Sequence, residues 1–184
     1  VNKYKILSPD GQQLYAMAQQ KRLAFKEKVT FYSDEKKQQP IFTFRAEKVM
    51  DIHGRYFVED MNGVFLGGFR KEFKKSLLRS SWVLLDVQGN DLLRIQEGNE
   101  MLAALRRLIG WAPLIGDILE IIIKFFKYHF EIIPLNGGQE VGKYEKVTLF
   151  RDHYMMHVND ELRNTLDWRV LAAMGVALDA LQSR

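Results

Sequence analysis

The sequence predicts a mainly β domain with some helix. The expected fold is a closed antiparallel β-barrel of about 12 strands that encloses a hydrophobic C-terminal helix. Three observations predict it: short β-branched and aromatic runs alternate with turn residues, a 26-residue period recurs in the first half, and the last apolar segment is too short for a bilayer. We expect a single domain over residues 1–184, with a helical insert at about 98–125 and a central helix at about 166–182.

The first half of the chain is typical of successive β-hairpins. Asp34, Asp60 and Asp86 are each 26 residues apart, and each ends an aromatic-containing strand that a second strand follows. A period of this length marks a repeated supersecondary unit. We interpret these aspartates as turn residues, because Asp bonds the backbone two residues on and a following Gly accepts a positive φ. The acidic positions of a calcium-binding EF-hand loop are missing.

A helical insert interrupts the strands in the middle of the chain. Its first part runs from Asn99, a suitable N-cap, to Gly110, a suitable stop. Its second part, 113–126, places two acidic residues and Lys124 on one face if it is helical, but its isoleucine-rich end also fits a strand. Short strands separated by turn residues resume between 127 and 158.

The last apolar segment, 168–181, has fourteen residues and only two charges, Arg169 and Asp179. A helix that is apolar all round must be buried. At about 1.5 Å per residue it reaches about 21 Å, short of the ~30 Å hydrocarbon core. A wide barrel leaves room for such a helix at its axis, and Asp167 or Thr165 can cap it. The side chains expected to pack against strands on every side are Trp168, Leu171, Met174, Val176, Leu178 and Leu181.

Composition limits the possible functions. The net charge of +4 and pI of about 9.2 permit an anionic partner without demanding one. The chain has no cysteine, which excludes disulfides, thiolate catalysis and cysteine-based zinc sites. The N-terminal residues lack the apolar region of a signal peptide, and the longest apolar zone, 108–126, is interrupted by Gly, Pro and charges. We therefore expect a cytoplasmic protein that is at most peripheral at a membrane.

The best candidate binding site is the basic segment 69–82. Five cations against Glu72 give it a local charge of +4, and Phe and Leu residues are interleaved. Each Lys or Arg near an anionic leaflet contributes about 1 kcal/mol, so the segment can hold a lipid headgroup if its cations share a face. The alternative is a solvated strand edge. The candidate lipid- or anion-binding residues are Arg70, Lys71, Lys74, Lys75 and Arg79.

The helical insert is a second candidate surface. Cations and an aromatic residue beside an apolar segment are typical of an interfacial helix. The same features fit a lid over one end of the barrel or a contact with a protein partner or a second copy. The candidate interface residues are Arg106, Arg107, Trp111, Ile115 and Ile122.

Enzymatic features are missing from the sequence. His153 and His157 face the same side on a strand or a helix, but a metal site needs a third ligand such as Asp152, Asp160 or His129. There is no phosphate-binding loop, dinucleotide motif or nucleophile elbow. We predict a non-enzymatic protein without catalytic residues, metal or other cofactor. Nucleic acid is not an expected partner, because nothing specifies it.

The order of these elements resembles the LURP-one-related family, which belongs with the Tubby C-terminal-like and phospholipid scramblase-like proteins. The residues that carry the resemblance are RSSWVLLDVQGNDLLRIQE (79–97), LRRLIGWAPLIGD (105–117) and LDWRVLAAMGVALDAL (166–181). It extends over about 13–181 and implies a twelve-stranded β-barrel around a hydrophobic C-terminal helix, in agreement with the pattern of elements.

The resemblance also implies a function. Tubby-like domains bind phosphoinositides through basic surface residues, and scramblase-like members associate with membranes. The implied activity is therefore binding of anionic membrane surfaces, or of phospholipid or phosphoinositide headgroups, through a basic patch. This chain has no proline-rich N-terminal region, cysteine or acidic calcium loop, so we do not expect scrambling itself. The alternative is a protein-interaction module or subunit that uses the helical insert.

Overall fold

In the computed structural model, the structure describes residues 2–20, 28–47, 54–72, 81–98, 129–148 and 152–182. These ranges contain eleven strands and two helices. The strands are β1 (Asn2–Leu7), β2 (Leu14–Gln20), β3 (Val29–Tyr32), β4 (Pro40–Ala46), β5 (Arg55–Asp60), β6 (Phe65–Glu72), β7 (Ser81–Leu85), β8 (Asp91–Glu97), β9 (Phe130–Pro134), β10 (Gly142–Lys146) and β11 (Tyr154–Val158). The helices are α1 (Asp160–Thr165) and α2 (Trp168–Gln182).

The strands form one antiparallel sheet in chain order, from β1 to β11. Because each strand pairs with its sequence neighbours, successive connections alternate between two ends of the sheet. We call one the apical end; it carries the turns 8–13, 33–39, 61–64, 86–90 and 135–141. We call the other the basal end; it carries the end of each even-numbered strand and the start of each odd-numbered one. The helix α1 follows the apical end of β11.

The period of 26 residues marks apical turns, as predicted. Asp34, Asp60 and Asp86 each accept two backbone hydrogen bonds at 2.8–2.9 Å from residues in their own turn. Gly63 and Gly89 end the last two turns with φ of +81°. The backbone N–H of Asn90, the largest influence, lowers the pKa of Asp86. These carboxylates therefore fix the backbone of the turns.

Aromatic rings fill the inner face of the sheet. Phe31 stacks on Phe42 with ring centroids 4.2 Å apart, and Tyr56 stacks on Phe69 at 5.2 Å. The Trp82 ring continues the row onto β7. Aromatic pairs on neighbouring strands are favourable cross-strand contacts, so the sheet and its core are stabilised together.

The helix α2 is buried as predicted, except at its start. Met174 and Leu178 are fully buried, and Leu171 and Val176 are nearly so. The expectation that Trp168 is enclosed is wrong, because this side chain is 44% exposed. Trp168 is the first residue of α2 and lies at the apical mouth of the sheet, where only part of its ring meets the core. The Leu181 side chain lies outside the described residues.

The chain enters α2 through a cap and a short helix. Asp167 Oδ1 accepts the backbone N–H of Arg169 at 2.9 Å, which confirms one of the two predicted caps. The guanidinium of Arg169 also contacts the Asp167 carboxylate at 2.7 Å. Thr165 is not the cap, because it belongs to α1 and its hydroxyl donates to the carbonyl of Glu161 at 2.7 Å. The helix α1 itself, capped by Asn159, was not predicted.

Both edges of the sheet reach the same residue of α2. Tyr4 on β1 donates a hydrogen bond to Asp179 Oδ2 at 3.0 Å, and Tyr154 on β11 donates to Oδ1 at 2.6 Å. The sheet therefore curves round the helix. Between them, Tyr144 on β10 donates to the carbonyl of Gly175 at 3.1 Å. Within the described residues, the backbone ladder ends at β1 and β11, so the predicted closure is not made there by main-chain hydrogen bonds.

The predicted helical insert at 98–125 lies outside the described residues, apart from Gly98. No helix within the described ranges combines the length and the hydropathy that a membrane span requires.

Burial of α2 can be tested with Met174→Lys. The change places an unpaired charge at a fully buried position, which costs several kcal/mol, and we expect the sheet to unfold. Asn164→Lys on the exposed side of α1 is the matched control and should change the free energy of unfolding by less than about 0.5 kcal/mol. Urea unfolding followed by circular dichroism measures both. A Met174→Lys chain as stable as the wild type would contradict the buried helix.

The Asp179 contacts predict a loss of stability at alkaline pH. Burial, the largest cause, raises the pKa of Tyr4 and of Tyr154 above the ordinary tyrosine value, and Asp179 raises both further. Unfolded tyrosines ionise near pH 10, so this stabilisation is complete below about pH 10 and is lost as the pH rises towards the folded pKa. The difference in unfolding free energy between wild type and Tyr4→Phe/Tyr154→Phe should be largest near pH 8 and shrink above pH 10. A constant difference would contradict a raised pKa of the two phenols.

Candidate anion-binding site

The structure describes two of the five predicted anion-binding residues. Arg70 and Lys71 lie on β6 near its basal end, where Glu72 pairs with Ser81 of β7. The other three, Lys74, Lys75 and Arg79, are outside the described residues.

Arg70 is already paired with an anion of the protein. Its Nη2 lies 2.5 Å from Asp91 Oδ2 and its Nε lies 3.2 Å from Oδ1, on the outer face of the sheet. The hydrogen bonds that Arg70 donates to Asp91 are the main cause that raises the pKa of Arg70. A carboxylate that accepts two hydrogen bonds along one edge of a guanidinium neutralises it locally. Arg70 therefore contributes little positive charge to an external ligand.

Lys71 projects from the opposite face. It pairs in register with Trp82, and its Nζ lies 5.8 Å from the centroid of that buried ring. Phe69, two residues earlier, is fully buried on the same inner face. Because successive side chains of a strand alternate between faces, Arg70 and Lys71 do not form one surface. The contiguous patch expected from the sequence is not formed by its two described members.

Ion pairs between arginine and acidic side chains recur on the outer face of β4 to β8. Arg45 makes two hydrogen bonds to Glu59, the shorter at 2.8 Å, and Arg94 makes two to Glu72, the shorter at 2.9 Å. The first pair joins the neighbouring strands β4 and β5, and the second joins β6 and β8 across β7. The Val83 side chain, on the outer face of β7, is fully buried. The described ranges contain 14 Lys or Arg and 18 Asp or Glu residues, so their net charge is −4. The neutralisation of these arginines by acidic residues on nearby strands was not predicted from the sequence.

The excess positive charge lies in the sequences that join the basal strand ends. The five connections 21–27, 48–53, 73–80, 99–128 and 149–151 contain 12 Lys or Arg and 5 Asp or Glu residues. The apical turns, together with 159–167, contain 3 Lys or Arg and 8 Asp or Glu residues. The basal cations are Lys21, Arg22, Lys26, Lys48, Lys74, Lys75, Arg79, Arg106, Arg107, Lys124, Lys127 and Arg151.

The strand order therefore attaches the five cation-rich connections at one end of the sheet and the acidic turns at the other. Counting charges along the chain does not reveal it, because the basal cations come from five separate segments. The strand order is the signal that collects them, since every even-to-odd connection of an antiparallel meander falls at the same end. Lys74, Lys75 and Arg79 belong to this group.

The other candidate residues, at the helical insert and around the two histidines, do not form a site within the described residues. The interface residues of the insert, from Arg106 to Ile122, lie outside the described ranges. His157 Nε2 lies 3.5 Å from Glu145 Oε1 on the neighbouring strand. Among the residues that the structure describes, no three histidine or acidic side chains converge on one point. A groove of about 380 Å³ lies at the apical end, between β8, the β9–β10 turn and α1.

These features define a class of protein: an antiparallel β-sheet curved round a buried C-terminal helix, with basic connections at one end. The model of the LURP-one-related family matches residues 14–179, so the chain belongs to this family. The match covers every described strand except β1 and nearly all of α2. None of the curated proteins or solved structures compared with the chain matches it.

Proposed function

We propose that the protein binds anionic membrane surfaces, or the headgroups of anionic phospholipids, through its basal end. The observation that carries this proposal is the separation of charge: 12 cations in the basal connections against 5 anions, and an acidic apical end. Membership of the LURP-one-related family, with its Tubby-like relatives, supports the same ligand class.

The proposal includes a closed form of the fold. The curved sheet acts as a barrel whose seam lies between β1 and β11, and the carboxylate of Asp179 joins the two edges from inside. Side-chain hydrogen bonds to a charged group stabilise by about 1.5–3 kcal/mol each, enough to hold a seam that lacks a full ladder. Such a barrel presents a rigid base, from which the five basal connections emerge together.

The energetics favour a lipid surface over a single small anion. Each Lys or Arg within a Debye length of an anionic leaflet contributes about 1 kcal/mol of binding free energy. Because a leaflet is an extended negatively charged surface, cations that lie apart from one another can all contribute to binding it. The basal connections also carry apolar residues, such as Leu77, Leu78, Phe125 and Phe126. Basic and apolar side chains in the same segments are typical of interfacial binding. The acidic apical end is repelled by the same leaflet, so the charge separation orients the molecule.

Co-sedimentation with vesicles tests the proposal. We expect wild-type protein to bind vesicles of phosphatidylcholine that contain phosphatidylserine or a phosphoinositide, and binding should weaken steeply with salt. Lys74→Glu with Lys75→Glu removes two basal cations and should weaken binding by at least about 2 kcal/mol, roughly 30-fold. Lys36→Glu with Lys37→Glu makes the same change of net charge at the apical end and should leave most of the binding.

Two further comparisons sharpen this test. Arg70→Gln should weaken vesicle binding less than Lys75→Gln, because Asp91 already neutralises Arg70. At equal surface charge, a preference for phosphoinositide over phosphatidylserine vesicles would indicate a headgroup site, and equal binding would indicate a charged plane. Wild-type indifference to anionic lipid, or equal losses in the apical and basal variants, would contradict the proposal.

A further inference from the structure

The two edge strands of the sheet, β1 and β11, run in the same direction. Neighbouring strands are antiparallel, so every odd-numbered strand runs from the basal to the apical end. A closed barrel that is antiparallel throughout needs an even number of strands, because each strand must oppose both of its neighbours. Among the described residues there are eleven strands, so one more strand, running from the apical to the basal end, would fit between β1 and β11.

The seam between β1 and β11 is wider than the spacing of paired strands. The Cα atoms of the two strands are almost everywhere more than 8 Å apart. Hydrogen-bonded strands lie about 4.8 Å apart, so a seam that holds one more strand measures about 9.6 Å. From the two sides of the seam, Tyr4 and Tyr154 nevertheless reach the same carboxylate, that of Asp179. The two edges are therefore close neighbours that do not pair with each other.

The core is incompletely covered along the seam. Elsewhere in the sheet, central inward side chains such as Phe31, Val58, Ile95 and Ile132 are fully buried. The inward apolar side chains of the two edge strands pack against the same core but remain partly exposed; they are Tyr4, Ile6, Tyr154, Met156 and Val158. An added strand would bury apolar surface that β1 and β11 leave open to solvent.

One face of α2 forms the floor of the seam. Ala172, Gly175 and Asp179 are partly exposed, whereas the other α2 residues from Val170 to Ala180 are buried. These three residues are three and four positions apart, so they share one face of the helix. Because both edge tyrosines bond Asp179, this face is turned towards the seam. The small side chain of Ala172 and the missing one of Gly175 leave depth for inward side chains of an added strand.

The outer side of the seam carries positive charge on β1. Lys3 and Lys5 are exposed and alternate with the inward Tyr4. The Nζ of Lys5 lies 2.8 Å from a carboxylate oxygen of Glu35, so this lysine is already paired. In the part of the chain that the structure describes, Lys3 has no ion pair. An acidic side chain on the outward face of an added strand would lie directly beside Lys3.

The lysines of β1 disfavour a second copy of this chain as the occupant. If two β1 edges paired antiparallel, lysines of the two copies would face each other, and like charges on opposite strands are destabilising. Lysine on an edge strand is a common protection against pairing of this kind. A strand with acidic outward residues makes favourable cross-strand pairs at the same positions. The charge of the edge therefore favours an acidic segment of a different protein.

We propose that the seam receives an extended segment of a partner protein, which adds a twelfth strand and pairs with both β1 and β11. The segment runs antiparallel to the two edges. It places small or apolar side chains towards Ala172 and acidic side chains outward beside Lys3. In such strand addition, main-chain hydrogen bonds give the affinity and alternate side chains give the specificity. The seam lies outside the basal connections, so this proposal does not rest on lipid binding.

Binding of synthetic peptides tests this proposal. The peptide EVEVEVE alternates acidic and apolar residues, KVKVKVK reverses its charge, and EVEPEVE carries a proline, which a strand with two neighbours excludes. By fluorescence anisotropy, we expect the wild type to bind EVEVEVE most tightly, KVKVKVK roughly fivefold more weakly, and EVEPEVE not at all. In hydrogen-exchange measurements, EVEVEVE should slow the exchange of amides on both β1 and β11.

Two variants test the position of the bound strand. Lys3→Glu should reverse the charge preference, so that KVKVKVK binds more tightly than EVEVEVE. Lys36→Glu is the matched control, because it makes the same change of charge at an exposed position in the β3–β4 turn and should leave the preference unchanged. Ala172→Leu fills the floor of the seam and should abolish binding of EVEVEVE. If this variant unfolds by circular dichroism, Ala172→Met, with its more flexible side chain, replaces it.

The outcomes decide the proposal in either direction. It is overturned if the wild type binds none of the peptides, if slowed exchange appears away from β1 and β11, or if Lys3→Glu behaves like Lys36→Glu. Self-association of the wild type through β1 would also overturn it, and sedimentation velocity together with slowed exchange of β1 without peptide would reveal this. Ala172→Leu should bind anionic vesicles like the wild type, so a failure of peptide binding and a failure of lipid binding are separate results.

Discussion

Asp179 links the two edges of the sheet to the helix at its centre. A carboxylate in a half-buried site is costly unless hydrogen bonds satisfy it, and Tyr4 and Tyr154 supply donors from the first and last strands. The buried apolar side chains of α2, from Val170 to Ala180, belong to the same core cluster as the buried side chains of the strands. Because each strand pairs antiparallel with its neighbours in the sequence, the connections fall into two groups at opposite ends of the sheet. The cation-rich connections belong to one group and the acidic turns to the other.

Much of the fold could be predicted from local patterns. The period of Asp34, Asp60 and Asp86 located three turns, because an Asx turn depends only on residues next to it in sequence. The apolar segment from 168 located α2 within two residues of its predicted start. The prediction that Trp168 is buried was wrong, because the apolar pattern of the sequence does not distinguish the first residue of a buried helix from the residues in its middle. The helix α1 was missed because six mostly polar residues carry no amphipathic period.

The candidate site was harder to predict, since its determinants are non-local. A run of cations in the sequence suggested one patch, but strand alternation sends Arg70 and Lys71 to opposite faces. Arg70 pairs with Asp91, 21 residues away in the chain, and only the β6–β7–β8 pairing brings the two together. The basal grouping of cations likewise needs the strand order, which no single segment encodes. Lys74, Lys75 and Arg79 lie outside the described residues, so their role in anion binding stays a prediction.

The central claim is that the basal end, and not the apical end, faces an anionic membrane. The chain has no native cysteine, so single cysteines can carry an environment-sensitive fluorophore without interference. We would label Ser76→Cys in a basal connection and, in a separate chain, Val87→Cys in an apical turn, and record emission with phosphatidylserine vesicles. A blue shift for the label at 76 together with an unchanged spectrum at 87 is the predicted result. A shift at 87 alone, or equal shifts at both positions, would contradict the account.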